Sequence, residues 1–435
     1  VVQLRYNRAH YLWDGGQEAA QTGSATEVMQ LSTLSNGLRV VSREMPGLET
    51  AALGLFASCG ARDEPAHLNG VAHIYEHMVF KGAGERSARE LNEAIEDVGG
   101  ELNACTERDG TSYTAAVMAE HVPLAMELLS DIILRARLNA DDLEREKEVV
   151  LQELAEVLDT PSDLIFDELW AASFVDQPLG RSILGDEASI RRISAADLHD
   201  WRDRNYRAGD LIVAAAGKVV HDDLVRLADE HLAHLPEGQA EHGTGAHFTG
   251  GVRVRRGASE QAQITFGFEG PAERADDYFA CRLFADVLGG GASSRLFNEV
   301  REERGLAYTV SSSVHPFTDT GLLYVHAATS PREAAAASQL IEEILDQSVD
   351  TITQRELDRV RRRAAAGLMM HLETPWGQAS YCARQLAVYG RLVTPTEVLD
   401  QLNAVTLEQV RTAGAKMLSG PRATATIGVP AVRAA

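Results

Sequence analysis

Two halves of this chain repeat one order of hydrophobic and polar patterning. In the first half, Thr111 to Val117 reads as a strand, and the stretch from Pro123 to Ile133 has the spacing of an amphipathic helix. In the second, Gly321 to Ala327 and then Arg332 to Leu345 repeat that order. A long acidic helix comes next in the first half. Asp141 to Leu154 contains strong helix formers throughout, and Leu143, Val150, Leu151 and Leu154 give it an apolar stripe. Its counterpart is found by adding 214, which maps Leu143 onto Leu357 and Thr160-Pro161 onto Thr374-Pro375, so two anchors 17 positions apart keep one offset. Each half closes on a helix and an apolar strand: Ala195 to Asn205 with Leu211 to Ala216, and Leu407 to Leu418 with Ala423 to Val429. Residues 236–251, between the halves, are rich in Gly and His and poor in large apolar side chains. They predict an exposed linker in which His242 and His247 are solvated.

Composition changes that picture little. At 435 residues the chain exceeds one hydrophobic core, so two domains are expected, at 29–235 and 252–435, after an N-terminal extension at 1–28. The extension carries Arg5 and Arg8 but also Asp14, Glu18 and Glu27, and it lacks a signal-peptide core. A net charge of −23 argues against nucleic-acid binding and would attract basic peptides. No apolar run is long enough for membrane insertion. Cys59, Cys105, Cys281 and Cys382 have no C-x-x-C spacing and read as reduced core thiols. Gly289-Gly290-Gly291 lacks the Lys-Ser/Thr of a phosphate loop and reads as a tight turn before a helix.

The candidate chemistry is concentrated in His73-Ile74-Tyr75-Glu76-His77. On a helix, His73 and His77 lie one turn apart on one face and can reach one metal ion, with Glu76 beside them. A catalytic zinc site needs three protein ligands and an open position for water, and a nearby carboxylate can take that water's proton. The order is the inverse of the commoner His-Glu-x-x-His. A third ligand is required. The acidic helix offers Glu146 and Glu153, seven apart on one face, and Glu153 is the choice. In the second half these two positions map to Val360 and Gly367 and there is no His-x-x-x-His pair, so that half is not expected to bind metal.

The run from Gly70 to Gly82, followed by Glu153 at 76 positions after His77, resembles the pitrilysin/insulinase family of zinc peptidases. Within it, the chain is most similar to the short-chain branch that includes the mitochondrial processing peptidase and its bacterial relatives. Similar segments extend from about residue 30 to 430, among them Gly99 to Ala104, Pro178 to Gly185, Asn205-Tyr206, and Ser294 to Phe297 leading to Arg301 and Tyr308. The resemblance implies an α+β fold of two structurally similar domains, each a mainly antiparallel sheet packed by helices. It implies Zn2+ held by His73, His77 and Glu153, with Glu76 as general base and Glu146 orienting or tuning the site from behind the ligands. Arg301 and Tyr308 would hold the substrate main chain and stabilise the oxyanion. Asn103 and Ala104 would lie on an edge strand to which an extended peptide adds by main-chain hydrogen bonds. Longer family members carry four such domains, closed like a clamshell, with zinc in the first and the Arg/Tyr pair in the fourth. Two chains of this length would regenerate that arrangement as a homodimer with composite sites, and a homologous partner is the alternative. Two departures stand out: Tyr75 occupies a usually aliphatic position, and Cys105 replaces a usual aromatic, with Asp109-Gly110 departing from a Glu-containing stretch.

The expected function is a zinc metalloendopeptidase acting on peptides or unfolded, presequence-like segments. The expected compartment is the bacterial cytoplasm, with mitochondrial matrix or periplasm as alternatives. Asp159, Asp163 and Asp167, with the overall charge, suggest a preference for Arg or Lys near the cleaved bond. The alternative is a non-catalytic scaffold or partner subunit of the same fold, a class whose metal motifs are typically broken.

Overall fold

The computed structural model describes residues 29–243, 245–257 and 259–429; the extension expected at 1–28 lies outside the described residues. Short Val, Ile, Leu and Ala runs bounded by Gly and polar turns make the strands. In the first half these are β1 (Gln30–Thr33), β2 (Arg39–Glu44), β3 (Thr50–Ala57), the short pair β4 (Gly82–Ala83) and β5 (Arg86–Ser87), β6 (Glu101–Thr106), β7 (Thr111–Met118) and β8 (Leu211–Gly217). The second half supplies β9 (Gly251–Arg255), β10 (Ala262–Gly270), β11 (Thr309–Pro316), β12 (Gly321–Thr329) and β13 (Arg422–Ile427). The first sheet runs β1-β2-β8-β3-β7-β6 and the second β9-β13-β10-β12-β11. Apart from β1 the two orders correspond strand for strand, and the parallel pair in each is the equivalent one, β2 with β8 and β9 with β13. This is the α+β repeat expected from the patterning.

One feature of the repeat was not visible in that patterning: the two domains exchange helices. Each long helix, Ala140–Asp159 and Gln354–Leu372, is followed by a Thr-Pro step and a second helix, Pro161–Ser173 and Pro375–Tyr389. Proline suits the first turn of a helix, where its missing N–H costs nothing, so the step restarts the chain in a new direction. The restarted helix crosses to the other domain. Pro375–Tyr389 places Ala379, Cys382, Ala383 and Leu386 against Val41, Ile212, Ala214 and Ala216 of the first sheet. Pro161–Ser173 places Leu164, Ile165, Leu169 and Trp170 against Leu322, Ala423, Ala425 and Ile427 of the second. Strand β8 is buried along its whole length for this reason. Leu211, Val213 and Ala215 face the first domain's own core while Ile212, Ala214 and Ala216 face the visiting helix. A strand covered on both faces reads as an unbroken apolar run. Each sheet would expose an apolar face without the other domain's helix, so the two halves form one folded body.

The stretch 236–251 is not the free linker that its composition suggested. Phe248 is buried against Phe174, ring centroids 5.9 Å apart. His242 is held between two buried carboxylates, with Nδ1 3.5 Å from Asp63 and Nε2 3.3 Å from Asp210. Asp319 of the second domain accepts the Ala246 N–H at 2.6 Å and both terminal nitrogens of Arg62 at 3.0 and 2.7 Å. The His247 side chain is exposed, as expected. The acids that hold His242 lie 179 and 32 positions away, with no local pattern to announce them.

This contact predicts a pH-dependent stability. Hydrogen bonds to Asp210 and Asp63 push the His242 pKa up from 6.5 to about 10. A raised folded-state value means that the pairing contributes fully below pH 6.5 and is lost as pH rises towards about 10. His242→Gln should therefore lower the melting temperature clearly at pH 6 and little at pH 10. Equal losses at both would assign the contact to packing alone. Among the described residues no helix is long and apolar enough to cross a membrane.

Candidate metal centre

The motif is helical. Val71–Val79 forms a helix in which all nine residues are buried, between the first sheet and the acidic helix Ala140–Asp159. Its first turn is organised by a residue that local reading missed. The Glu64 carboxylate accepts the Asn69 side-chain N–H at 2.7 Å and the main-chain N–H groups of Gly70 and Ala72 at 2.9 and 2.8 Å, satisfying donors that a helix start leaves free. Burial pushes Glu64 up to about 7 against the pull of those hydrogen bonds. Gly70 turns with φ +95°, and a Cβ on the facing Gly185 would come within 2.4 Å of the Asn69 carbonyl oxygen. Arg181 donates to the Glu64 carbonyl at 2.8 Å. The segment Pro178 to Gly185 thus serves as a brace for the start of the motif helix. On the helix's other side Tyr75 is fully buried; its hydroxyl donates to the Ile133 carbonyl at 3.0 Å and its ring lies 5.2 Å from that of Tyr206. This departure is a matter of core packing behind the site.

On the side facing the acidic helix the structure gathers His73, His77 and Glu153. One candidate ligand atom from each lies within 4.8 Å of the others. Glu153 Oε2 is 3.6 Å from His77 Nε2 and 3.9 Å from His73 Nε2. Glu146 stands one step behind: its Oε2 is 3.2 Å from His77 Nδ1, and its Oε1 is 2.7 Å from Lys81 Nζ. A hydrogen bond from Nδ1–H to Glu146 fixes the tautomer that leaves a lone pair on Nε2. Burial would raise Glu146, but the hydrogen bonds from His77 and Lys81 hold it below its ordinary value. Burial and the neighbouring His77 push His73 down to about 3, so its imidazole is neutral and its approach to Glu153 is not an ion pair. Burial raises Glu76 and Glu153.

The hydrogen-bond account of this cluster does not close by itself. His73 Nε2, His77 Nε2, Glu153 Oε2 and Glu76 Oε1 are all buried without a protein partner. Each such atom costs roughly 1–3 kcal/mol, so four in one place cost about as much as a typical domain's whole net stability, ~5–15 kcal/mol. Two neutral nitrogens and one carboxylate oxygen are the donor set of a catalytic zinc site, and His73, His77 and Glu153 fit a bound Zn2+.

Comparison with known proteins gives the same family. Residues 39–187 match the family model described as Insulinase (Peptidase family M16), and residues 192–364 match the one described as Peptidase M16 inactive domain. An uncharacterized zinc protease of Mycobacterium tuberculosis is 37% identical over 406 residues, 91% of this chain and 92% of the relative. The chain belongs to the insulinase family of zinc peptidases, M16. It is a metallopeptidase with Zn2+ as cofactor. The beta subunit of the mitochondrial-processing peptidase of Lentinula edodes is 31% identical over 422 residues, covering 93% of this chain and 90% of the relative. A protease structure from Helicobacter pylori shares the fold with a TM-score of 0.86 at 22% identity, covering 93% of this chain and 100% of the other. A structure described as a peptidase M16 inactive domain, from Pseudomonas fluorescens, gives a TM-score of 0.87 at 22% identity, covering 94% and 99%.

The other residues singled out by family resemblance are spread more widely. Strand β6 is an edge of the first sheet; Asn103 on it is exposed and Ala104 points into the core. Cys105 is only partly buried on the same strand, unlike Cys59, Cys281 and Cys382 in the interior, so the expectation of four core thiols holds for three. Burial and nearby Glu107 and Glu76 push its thiol up to about 12, away from thiolate reactivity. Arg301 lies in a π-helical turn, Phe297–Glu303, with its guanidinium 4.6 Å from the Phe297 ring centre. Its side chain is 44% exposed and Tyr308 is 61% exposed. Among the described residues no hydrogen bond or ion pair joins either to His73, Glu76, His77 or Glu153. Of the three acids suggested for substrate Arg, Asp167 is already engaged, 3.5 Å from Arg108 and accepting the Ser182 hydroxyl at 2.9 Å. Asp163 accepts from Ser162 at 3.4 Å, and Asp159 is exposed.

Proposed function

We propose that this enzyme is a zinc metalloendopeptidase of peptides and unfolded or presequence-like segments, with His73, His77 and Glu153 as the metal ligands and Glu76 as the general base. The reading is supported above all by the convergence of one ligand atom each from His73, His77 and Glu153, with His73 Nε2, His77 Nε2 and Glu153 Oε2 buried and unpartnered. When bound, Zn2+ supplies Lewis-acid activation of water and of the scissile carbonyl. Glu76 takes the proton of the attacking water on Oε1 and passes it to the leaving amine. Glu146, itself steadied by Lys81, holds the His77 ring in its ligating tautomer. The substrate lies extended along the outer edge of β6, where main-chain pairing reads conformation more than side chains, so folded proteins are excluded.

The catalytic unit in this reading spans 29–235, and the second unit, 252–435, supplies Arg301 and Tyr308 to the other chain of a homodimer. Solvent exposure of both side chains suits that role, since a partner's site needs them free. Asp159 and Asp163 remain candidates for attracting basic substrate residues. A scaffold of the same fold would have no use for the converging ligand set. The test is metal analysis with peptidase assay. About one zinc per chain is expected, with chelation abolishing cleavage of an unfolded protein and native substrates resisting. A metal-free protein, or hydrolysis indifferent to chelation, would overturn the assignment.

A further inference from the structure

Glu76 is not free to choose its own orientation. Its Oε2 accepts a hydrogen bond from the Thr106 hydroxyl at 2.5 Å, while its Oε1 is buried without a partner. Thr106 is 7% exposed and is the last residue of β6, the edge on which substrate is proposed to add. Side chains alternate along a strand, so Ala104 and Thr106 face the motif helix while Asn103 and Cys105 face away. The end of this strand is anchored on both sides. Thr106 pairs with Thr111, whose hydroxyl donates to the Cys59 carbonyl at 2.9 Å. In the following turn the Glu107 N–H donates to the Gly110 carbonyl at 2.8 Å, the Ala61 N–H to the Glu107 carbonyl at 3.0 Å and the Arg62 N–H to the Arg108 carbonyl at 2.8 Å. Gly60 sits so close beneath this turn that a Cβ would lie 2.5 Å from the Glu107 oxygen.

We propose that Thr106 is the positioning residue of the catalytic carboxylate: it holds one oxygen of Glu76 so that the other faces the reacting water, and it ties that aim to the strand that receives the substrate. A hydroxyl-to-carboxylate bond is short and directional. The terminal torsion of a Glu side chain is otherwise broad, so without the hydroxyl only the weaker main-chain contact of Thr106 would remain to hold the carboxylate, and Oε1 would point less steadily at the reacting water. Because Thr106 stands three residues from Asn103 on a short, stiff edge, a peptide pairing with β6 fixes the register of the residue that aims the base. The inference rests on the reading of Glu76 as the base.

The test compares Thr106→Val, which keeps the shape and removes the hydroxyl, with Thr106→Ser, which keeps the hydroxyl, and with Thr106→Ala as a second deletion. The expected result is a kcat lowered about 10- to 100-fold in T106V and T106A, the range for residues that orient a metal site from behind. KM, zinc content and melting temperature should be little changed, and T106S should recover most of the rate. In a Glu76→Gln background T106V should cause no further loss. In metal-free crystals, the residue 76 carboxylate should leave its position beside residue 106 in T106V and keep it in T106S. A wild-type kcat in both deletions while E76Q is inactive would overturn this inference alone, as would T106S being as impaired as T106V. An active E76Q would overturn both this inference and the base assignment beneath it.

Discussion

Glu76→Gln protein should bind about one zinc per chain and hydrolyse peptides at a rate lowered by about 10²- to 10⁴-fold, the usual contribution of a positioned general base. The amide keeps the volume of the carboxylate and can still accept the Thr106 hydroxyl bond, but it cannot take the water's proton. Glu153→Ala should behave in the opposite way and lose the metal, since it removes one of three charges or lone pairs that converge on the site. Zinc measured by atomic emission and rates measured on one fluorogenic peptide separate the two. Wild-type-like hydrolysis by E76Q would end the proposed mechanism, and unreduced zinc affinity in E153A would remove Glu153 as the third ligand.

Mixing two dead proteins should restore activity. Glu76→Gln and Tyr308→Phe homodimers each carry a lesion in both composite sites. After subunit exchange, a mixed dimer has one site with both lesions and one with neither, so its activity should return to about half that of wild type per mixed dimer. The expectation follows from the lack, among the described residues, of any hydrogen bond or ion pair between the two groups within one chain. The cluster of His73, His77 and Glu153 sits in the first domain, whereas Arg301 and Tyr308 lie exposed on the second without a bond to it. Helix exchange locks the two domains of one chain together, so a simple swing of one onto the other is not available to bring them together. Proven exchange without recovery, or a fully active monomer by sedimentation, would place the whole site within one chain.

The sequence by itself determined what depends on short range. Helical periodicity places His73 and His77 on one face whatever surrounds them, and Glu76 beside them, so the core of the candidate site was legible in five residues. The repeat was legible too, because an offset of 214 relates local signals, a long amphipathic helix and the Thr-Pro step that ends it. Other features depend on how distant segments pack, and only the tertiary structure decided them. Glu146 and Glu153 share a helix face, and the choice of Glu153 as the third ligand is made from the sequence; the placement that supports it follows from where Ala140–Asp159 crosses the motif helix, with Glu153 beside both Nε2 atoms and Glu146 beside His77 Nδ1. Thr106 meets Glu76 across 30 positions, and Glu64 caps a helix that begins seven residues later, neither with a local signature. His242 is exposed, as its surroundings in the sequence suggested, but its pairing with Asp63 and Asp210 was not legible because both carboxylates come from other parts of the chain. The same holds for the crossing of Pro161–Ser173 and Pro375–Tyr389: an apolar helix face states that it must be buried, and only the packed structure states against which sheet, because burial is non-directional and any matching apolar surface satisfies it.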